Sequence, residues 1–345
     1  GEVRRLVANC WRRLLNEQGL PYAHLSYGPA GTPGWFGFRV DSDFGNTANI
    51  LKTVDLARET GIRMSWFLNA RAIEPDLSEL LEAGLRDQDV QLHCFDHRVY
   101  SNLEENRANI ERGVGVLTRN GVAPVGAASP WGDWNESWQQ ALERAGLEYS
   151  SDFAAGYDDL PFRPLVGGHP SATLQVPCHP VSPGRLRACR ARPEDITTYF
   201  ADRVELCCCR HEPALFYGHP DPVAELSDVM AEVLRSAARR CGGTLTWTDY
   251  ARWWRERELV EARARYGDDS LEIDCRPGGE RQMMVFELPG RRAELAARPG
   301  RLSLAGLPWQ DSEPARLDPV RLLAARRRGW QARFRQWLRD RRRQT

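Results

Sequence analysis

In the stretch "GFRVDSDFGN", residues 37–46, an apolar, β-favouring run ends in two carboxylates, Asp41 and Asp43, separated by one serine. A single Asp after a strand is often a helix cap, because it accepts bonds from the free amides of the next helix. Two carboxylates suggest a division of labour, one to bind a cation and one to move a proton. A second apolar run, "DVQLH", ends in "HCFDH", which places His93 and His97 four residues apart. At that spacing both imidazoles face one point if the segment makes a helical turn. Two histidines and a carboxylate form a three-ligand set for a divalent metal, with a position left open for water. A third histidine, His219 in "PALFYGHP", again lies just past an apolar run. Chance pairs of histidines at this spacing are common. The chain holds only seven, however, so their gathering at strand ends favours a ligand cluster.

These residues need a frame that brings strand ends together. From Gly34 onward short apolar strands alternate with amphipathic helices, among them "TANILKTVDLARETG", "DLSELLEAGL" and "NLEENRANIERGVGVLTRNG". A helix between each pair of strands indicates parallel βα units, since a parallel crossover needs a long connection. The fold class expected is α/β, a barrel or a doubly wound sheet, with the site at the carboxyl ends of the strands. Residues 1–33 read as an amphipathic helix followed by a Pro/Gly-rich linker, and residues 34–258 as the main domain. Residues 259–310, with turn glycines and no helical pattern, read as a small β-rich appendage. Residues 311–345 read as a basic amphipathic helix, with 11 arginines against four acidic residues and an apolar face of Leu323, Trp330, Phe334, Trp337 and Leu338. A loop-rich stretch from about 153 to 192 interrupts the βα rhythm. It carries His169 and His179, which read as exposed loop histidines.

Composition narrows the function further. The 345-residue chain is 42% hydrophobic and 27% charged, with 47 basic and 47 acidic residues. That balance argues against an overall nucleic-acid or membrane binder, so no specific nucleic acid is expected. An anionic membrane surface remains a candidate partner for the basic C-terminal helix alone, and docking on the acidic body of the chain is the competing reading. No run of 18 apolar residues occurs, and the N-terminal stretch lacks a signal-peptide core. The nine cysteines include the triplet Cys207–Cys209 but no C-x-x-C pair, so they read as small core residues of a reducing compartment. Cytoplasmic localisation is favoured, with membrane association as the alternative.

The order of motifs resembles the polysaccharide deacetylase family, the NodB-homology enzymes or family 4 carbohydrate esterases. It runs Asp-x-Asp, then H-x-x-x-H, then the turn Pro130–Trp131–Gly132, then a late strand followed by histidine. The resemblance spans roughly residues 34–257. It implies a distorted (β/α) barrel of seven or eight strands holding one divalent metal, usually zinc. Carried over by position, Asp43, His93 and His97 are the ligands, Asp41 is the general base and His219 the general acid. Because Ser42 intervenes, an exchange of roles between the two aspartates stays open. Trp131, Trp134 and Asp152 are expected at the substrate or oxyanion side, the amide of Trp131 binding the oxyanion. The family places an arginine two residues before the turn proline to orient the base; this chain has Ala128 there. Arg39 or Arg190 is expected to replace it, unless activity has shifted. The function implied is removal of an N-acyl group, most often acetyl, from an amino sugar of a glycan or lipid-linked saccharide. A catalytically weakened saccharide-binding or scaffold barrel, or an amidase acting on a small non-sugar amide, are the alternatives.

Overall fold

A computed structural model describes residues 1–267, 270–275 and 282–312. Seven parallel strands form the central sheet: β1 (Phe36–Asp41), β2 (Ser65–Leu68), β3 (Asp89–Leu92), β4 (Gly126–Ala127), β5 (Tyr149–Ser150), β6 (Leu174–Gln175) and β7 (Ala214–Gly218). Their spatial order is β7-β1-β2-β3-β4-β5-β6. The sheet curls into the expected distorted barrel. A backbone bond from His179 N to Leu215 O, 2.8 Å, reaches across the opening between the chain after β6 and β7. Helices such as Thr47–Thr60 and Leu103–Arg119 supply the crossovers, each started by an asparagine side chain accepting from a free amide: Asn46 from Asn49 N, and Asn102 from Glu105 N.

Both faces of the sheet are covered, so β1 is buried along its whole length. Alternation divides it. Phe36, Phe38 and Val40 join the core beneath the outer helices, which also holds Trp66, Leu68 and Leu92. Gly37, Arg39 and Asp41 consequently share the inner face. The inner core is aromatic, with Phe67, Tyr149, Tyr217, Trp247 and Tyr250. Phe67 and Tyr217 belong to the strands on either side of β1, so they wall in its inward-facing polar pair.

Two stretches differ from expectation. The region expected to be loop contains β6 and the helix Pro183–Ala188, which is capped by Ser182. Two residues of strand are too few to show alternation, and β6 is defined by its pairing with β5. Residues 22–25, expected within a linker, form a strand antiparallel to Met283–Leu288, with Ala23 opposite Phe286. The partner lies far along the chain, so no local pattern announces it. The remaining strands after residue 258 are antiparallel and enclose a small core of Leu271, Ile273, Met284 and Phe286. The basic helix expected over 311–345 lies outside the described residues from 313 onward. Among the described residues no helix is long and apolar enough to cross a membrane.

Candidate metal centre and active site

The loop after β1 is held by its middle residue. Ser42 is fully buried; its amide donates to Phe67 O (2.9 Å) and its hydroxyl accepts from Asn69 N (2.8 Å), both at the end of β2. With Ser42 pinned, Asp41 stays on the strand facing inward. Asp43 takes a left-handed conformation, φ 42°, and turns over the strand ends. Cys94 (φ 63°) and Trp131 (φ 61°) are also left-handed. Such conformations cost about 1–3 kcal/mol each and tend to gather at functional sites.

Asp43 converges with both histidines. Its Oδ1 lies 3.0 Å from His93 Nε2 and 3.0 Å from His97 Nε2, and the two Nε2 atoms are 3.2 Å apart. The other ring nitrogen of His93 fixes the tautomer. Nδ1 is 2.8 Å from Ala128 O, which can only accept, so Nδ1 carries a hydrogen. In the neutral ring Nε2 therefore presents a lone pair to a carboxylate and to a second imidazole. Either an added proton or a cation must occupy that point. This donor set, with its backbone-anchored histidine, fits a divalent metal. Among the described residues, Asp43, His93 and His97 form the one group of three potential ligands close enough to share an ion.

Without a cation, Asp43 and His93 shift each other's proton affinity. Burial works to raise the Asp43 carboxyl, but His219 charge and bonds from His93 and His97 hold it well below the ordinary carboxylate range. Burial works to lower His93; the bond to Asp43 and the charges of Asp41 and Asp43 outweigh it and raise the imidazole. His219, directly after β7, approaches from the other side, with Nε2 3.4 Å from Asp43 Oδ2, and is one-third exposed.

Asp41 has a different partner. Arg39, two residues earlier on the same strand face, grips it with both ends of the guanidinium: Nε to Oδ1 2.6 Å and Nη2 to Oδ2 2.7 Å. Arg39 is completely buried. Its third nitrogen donates to Ser151 O (2.7 Å), and the cation lies over the rings of Phe67, Phe153 and Tyr217. The carboxylate raises the Arg39 pKa despite complete burial, so the guanidinium remains charged. Of the two arginines expected in place of Ala128, Arg39 on β1 is the one that pairs with Asp41, and Arg190 is exposed. Ala128 is buried and contributes the carbonyl that orients His93.

The other expected residues separate into two groups. Trp131 is 45% exposed, with its ring edge-on to His97 at 5.2 Å. Its turn is closed by Gly132 N to Ser129 O and Asp133 N to Pro130 O, which leaves the Trp131 amide outside those internal bonds. Trp134 packs against the outer core, and its indole donates to Gln139 Oε1. Asp152 is buried beneath the turn rather than open to a ligand. It accepts from Ser129 N, Trp138 Nε1, Ser150 Oγ and Gln175 Nε2, and so holds the turn in place. His179, expected to be exposed, is buried between Asp158 and Tyr199 at 2.8 and 2.7 Å; His169 is exposed on a short hairpin. Phe44 was not anticipated. It is 68% exposed, with its ring 5.0 Å from that of His97, and the available signal is an aromatic in a polar loop directly after Asp43.

No family model matches the sequence, and no curated protein is similar to it. Solved structures do resemble it. A Mycobacterium smegmatis protein described as a polysaccharide deacetylase superposes with a TM-score of 0.57 at 13% identity, over 70% of this chain and 96% of its own. One from Pseudomonas aeruginosa PAO1, similarly described, gives 0.56 at 16% identity, over 66% and 92%. PuuE allantoinase gives 0.55 at 15% identity, also over 66% and 92%. The fold is that of the polysaccharide deacetylases. At these identities the likeness concerns architecture, and the chemistry has to be argued from the residues.

Proposed function

We propose that the chain is a metal-dependent hydrolase that removes an N-acyl group, acetyl in the first instance, from an amino sugar of a glycan or lipid-linked saccharide. The observation that carries this reading is the convergence of Asp43, His93 and His97, with His219 against Asp43 and the Arg39-held Asp41 two residues before it. Asp43, His93 and His97 would hold the ion, zinc being the occupant that suits two imidazoles and a carboxylate. When bound there, a divalent ion lowers the pKa of water toward neutrality and polarises the acyl oxygen.

The chain's own residues account for the proton movements. Asp41, oriented by the bidentate bond from Arg39, takes the proton from the attacking water. The Trp131 amide donates to the oxygen of the acyl carbon as negative charge builds on it. His219 gives a proton to the departing nitrogen, without which the leaving group would be an amine anion. Phe44 and Trp131 both contact the His97 ring edge-on and offer exposed apolar surface, suited to the C–H faces of a sugar ring.

The buried Arg39–Asp41 pair weighs against the weakened-barrel reading, whose main support was Ala128. A small-amide hydrolase of the same fold is the second reading, favoured by the similarity in architecture to PuuE allantoinase. The test is acetate release from a panel of N-acetylated saccharides, with and without a chelator, alongside a panel of small amides. Chelator-sensitive release from saccharides is expected. Turnover of small amides alone would replace the sugar with the second reading, and turnover indifferent to chelation would remove the metal.

A further inference from the structure

The triplet Cys207–Cys209, expected to be small core residues, divides in the structure, because adjacent residues of a helix point about 100° apart. Cys207 lines a cavity with Arg203 and Tyr250. Cys209 donates to Glu205 Oε1 (3.2 Å). Cys208 meets another helix: its Sγ lies 3.6 Å from the Sγ of Cys241, the last residue of the helix Ser227–Cys241. Both are free thiols, and both are buried, at 4% and 0% exposure. Among the described residues no third ligand atom joins them, so the pair lacks what a metal centre needs.

We propose that Cys208 and Cys241 are an oxidative modification site, at which a hydroperoxide makes a disulfide and small thiols remove it. Closure brings the sulfurs from 3.6 Å to about 2.05 Å, so each moves by less than about 1 Å. The surroundings favour reaction at Cys208. The bond from Cys241 and the charge of Arg240 outweigh burial and lower the Cys208 thiol from its ordinary value. Burial pushes Cys207 up to about 12, and burial together with Glu205 pushes Cys209 up to about 11. The thiolate is the nucleophile, so of the three it is Cys208 that attacks. The cover over the pair is thin. A Cβ on Gly34 would lie 3.1 Å from Cys208 Sγ and 3.7 Å from Cys241 Sγ, so bare backbone roofs both sulfurs, and the adjoining Pro33 is exposed. Such a cover suits an oxidant as small as hydrogen peroxide.

The chemistry runs in two steps. The Cys208 thiolate attacks one oxygen of hydrogen peroxide and breaks the O–O bond; Cys208 becomes a sulfenic acid, and the released hydroxide takes up a proton to leave as water. Cys241 then gives up its proton and attacks the Cys208 sulfur, breaking its S–O bond, and the hydroxide leaves with that proton as a second water. Two thiols lose two electrons and the peroxide gains them. Two small thiols reverse the step by exchange, themselves ending as a disulfide. The pair lies where Gly34 N donates to Cys241 O (2.8 Å), before β1 begins at Phe36. Asp41 and Asp43 follow the other end of that strand, so this site is separate from the metal centre.

To test this, the reduced full chain is treated with hydrogen peroxide, its remaining thiols are blocked with N-ethylmaleimide in denaturant, and linked peptides are mapped by fragment-ion mass spectrometry. A disulfide joining Cys208 to Cys241 within one chain should form and should vanish on treatment with dithiothreitol. In Cys241→Ser, Cys208 should instead accumulate as a sulfenic acid captured by dimedone. The parent chain oxidised in urea is the reference, in which Cys207, Cys208 and Cys209 should link to Cys241 without preference. Recovery of Cys208 and Cys241 from the peroxide-treated folded chain as the alkylated thiols would overturn the proposal. So would a folded chain in which Cys207 or Cys209 is the partner of Cys241, or one in which the exposed Cys10 links two chains while Cys208 and Cys241 stay reduced.

Discussion

Asp41 and Asp43 are two residues apart, yet one ends a strand and the other begins a loop, and their surroundings satisfy them by opposite means. Asp41 is buried against a bidentate guanidinium in an aromatic enclosure, fully paired from within the protein. Asp43 turns in a left-handed conformation toward two imidazoles, one of which, when neutral, presents a lone pair to it. The strand end is paired from within the protein, whereas the loop needs an added proton or a cation at the point its three side chains share. Under the proposed function, the buried pair holds the proton acceptor in orientation. The triad would hold the ion that activates the water. The lesson is that residue spacing alone does not assign roles to an acidic pair; what each carboxylate faces does.

Changes that erase this contrast test it. The largest effect is expected from Asp41→Asn, which keeps the shape of the strand end but removes the acceptor. Turnover should fall by about 10²–10⁴-fold with metal content unchanged, as steady-state rates and metal analysis on the same preparation would establish. Metal lost together with activity would mean that the two aspartates exchange roles.

Arg39→Met comes next. It leaves the Asp41 carboxylate buried without its cation, which should cost about 3–5 kcal/mol in denaturant unfolding and lower turnover as well. An unchanged midpoint would show that Asp41 does not depend on Arg39. His219→Ala should slow amide cleavage by about 10²-fold or more while sparing an activated aryl ester, whose leaving group departs without a proton. Equal losses on both substrates would exclude His219 as the acid.

The smallest effect is a pH dependence. With its pKa raised in the folded chain, His93 contributes stability to the metal-free protein that is fully present below its unfolded pKa of about 6.5 and is lost as pH rises through the folded value. Asp43, whose pKa is depressed, contributes above about pH 4 and loses that contribution as pH falls through its folded value. Metal must displace the His93 proton, so its affinity should weaken by about tenfold per pH unit per proton displaced below the raised value. Titration calorimetry at several pH values would measure this. Affinity indifferent to pH would remove His93 from the ligand set.

Much of this was legible because it is local. The proposed ligands follow apolar strands at the ends of βα units, and Arg39 sits at period two from Asp41, so a shared face could be anticipated. What escaped was set by distant partners. The strand Tyr22–Leu25 exists through Met283–Leu288, and β6 is two residues defined by β5. His179 is buried only because Asp158 and Tyr199 close over it. Asp152 supports the turn from below because the fold brings Ser129, Trp138 and Gln175 to one carboxylate, a convergence that no spacing in the chain displays.

The central claim is that the loop after β1 and the end of β3 together make a metal site. Its most direct test is the metal content of the full chain by plasma mass spectrometry after zinc loading and exhaustive dialysis, compared with the His93→Ala/His97→Ala variant. About one equivalent of divalent metal in the parent chain and almost none in the variant is expected, as for a three-ligand site. A parent chain that retains no metal, or a variant that retains as much as its parent, would contradict the account.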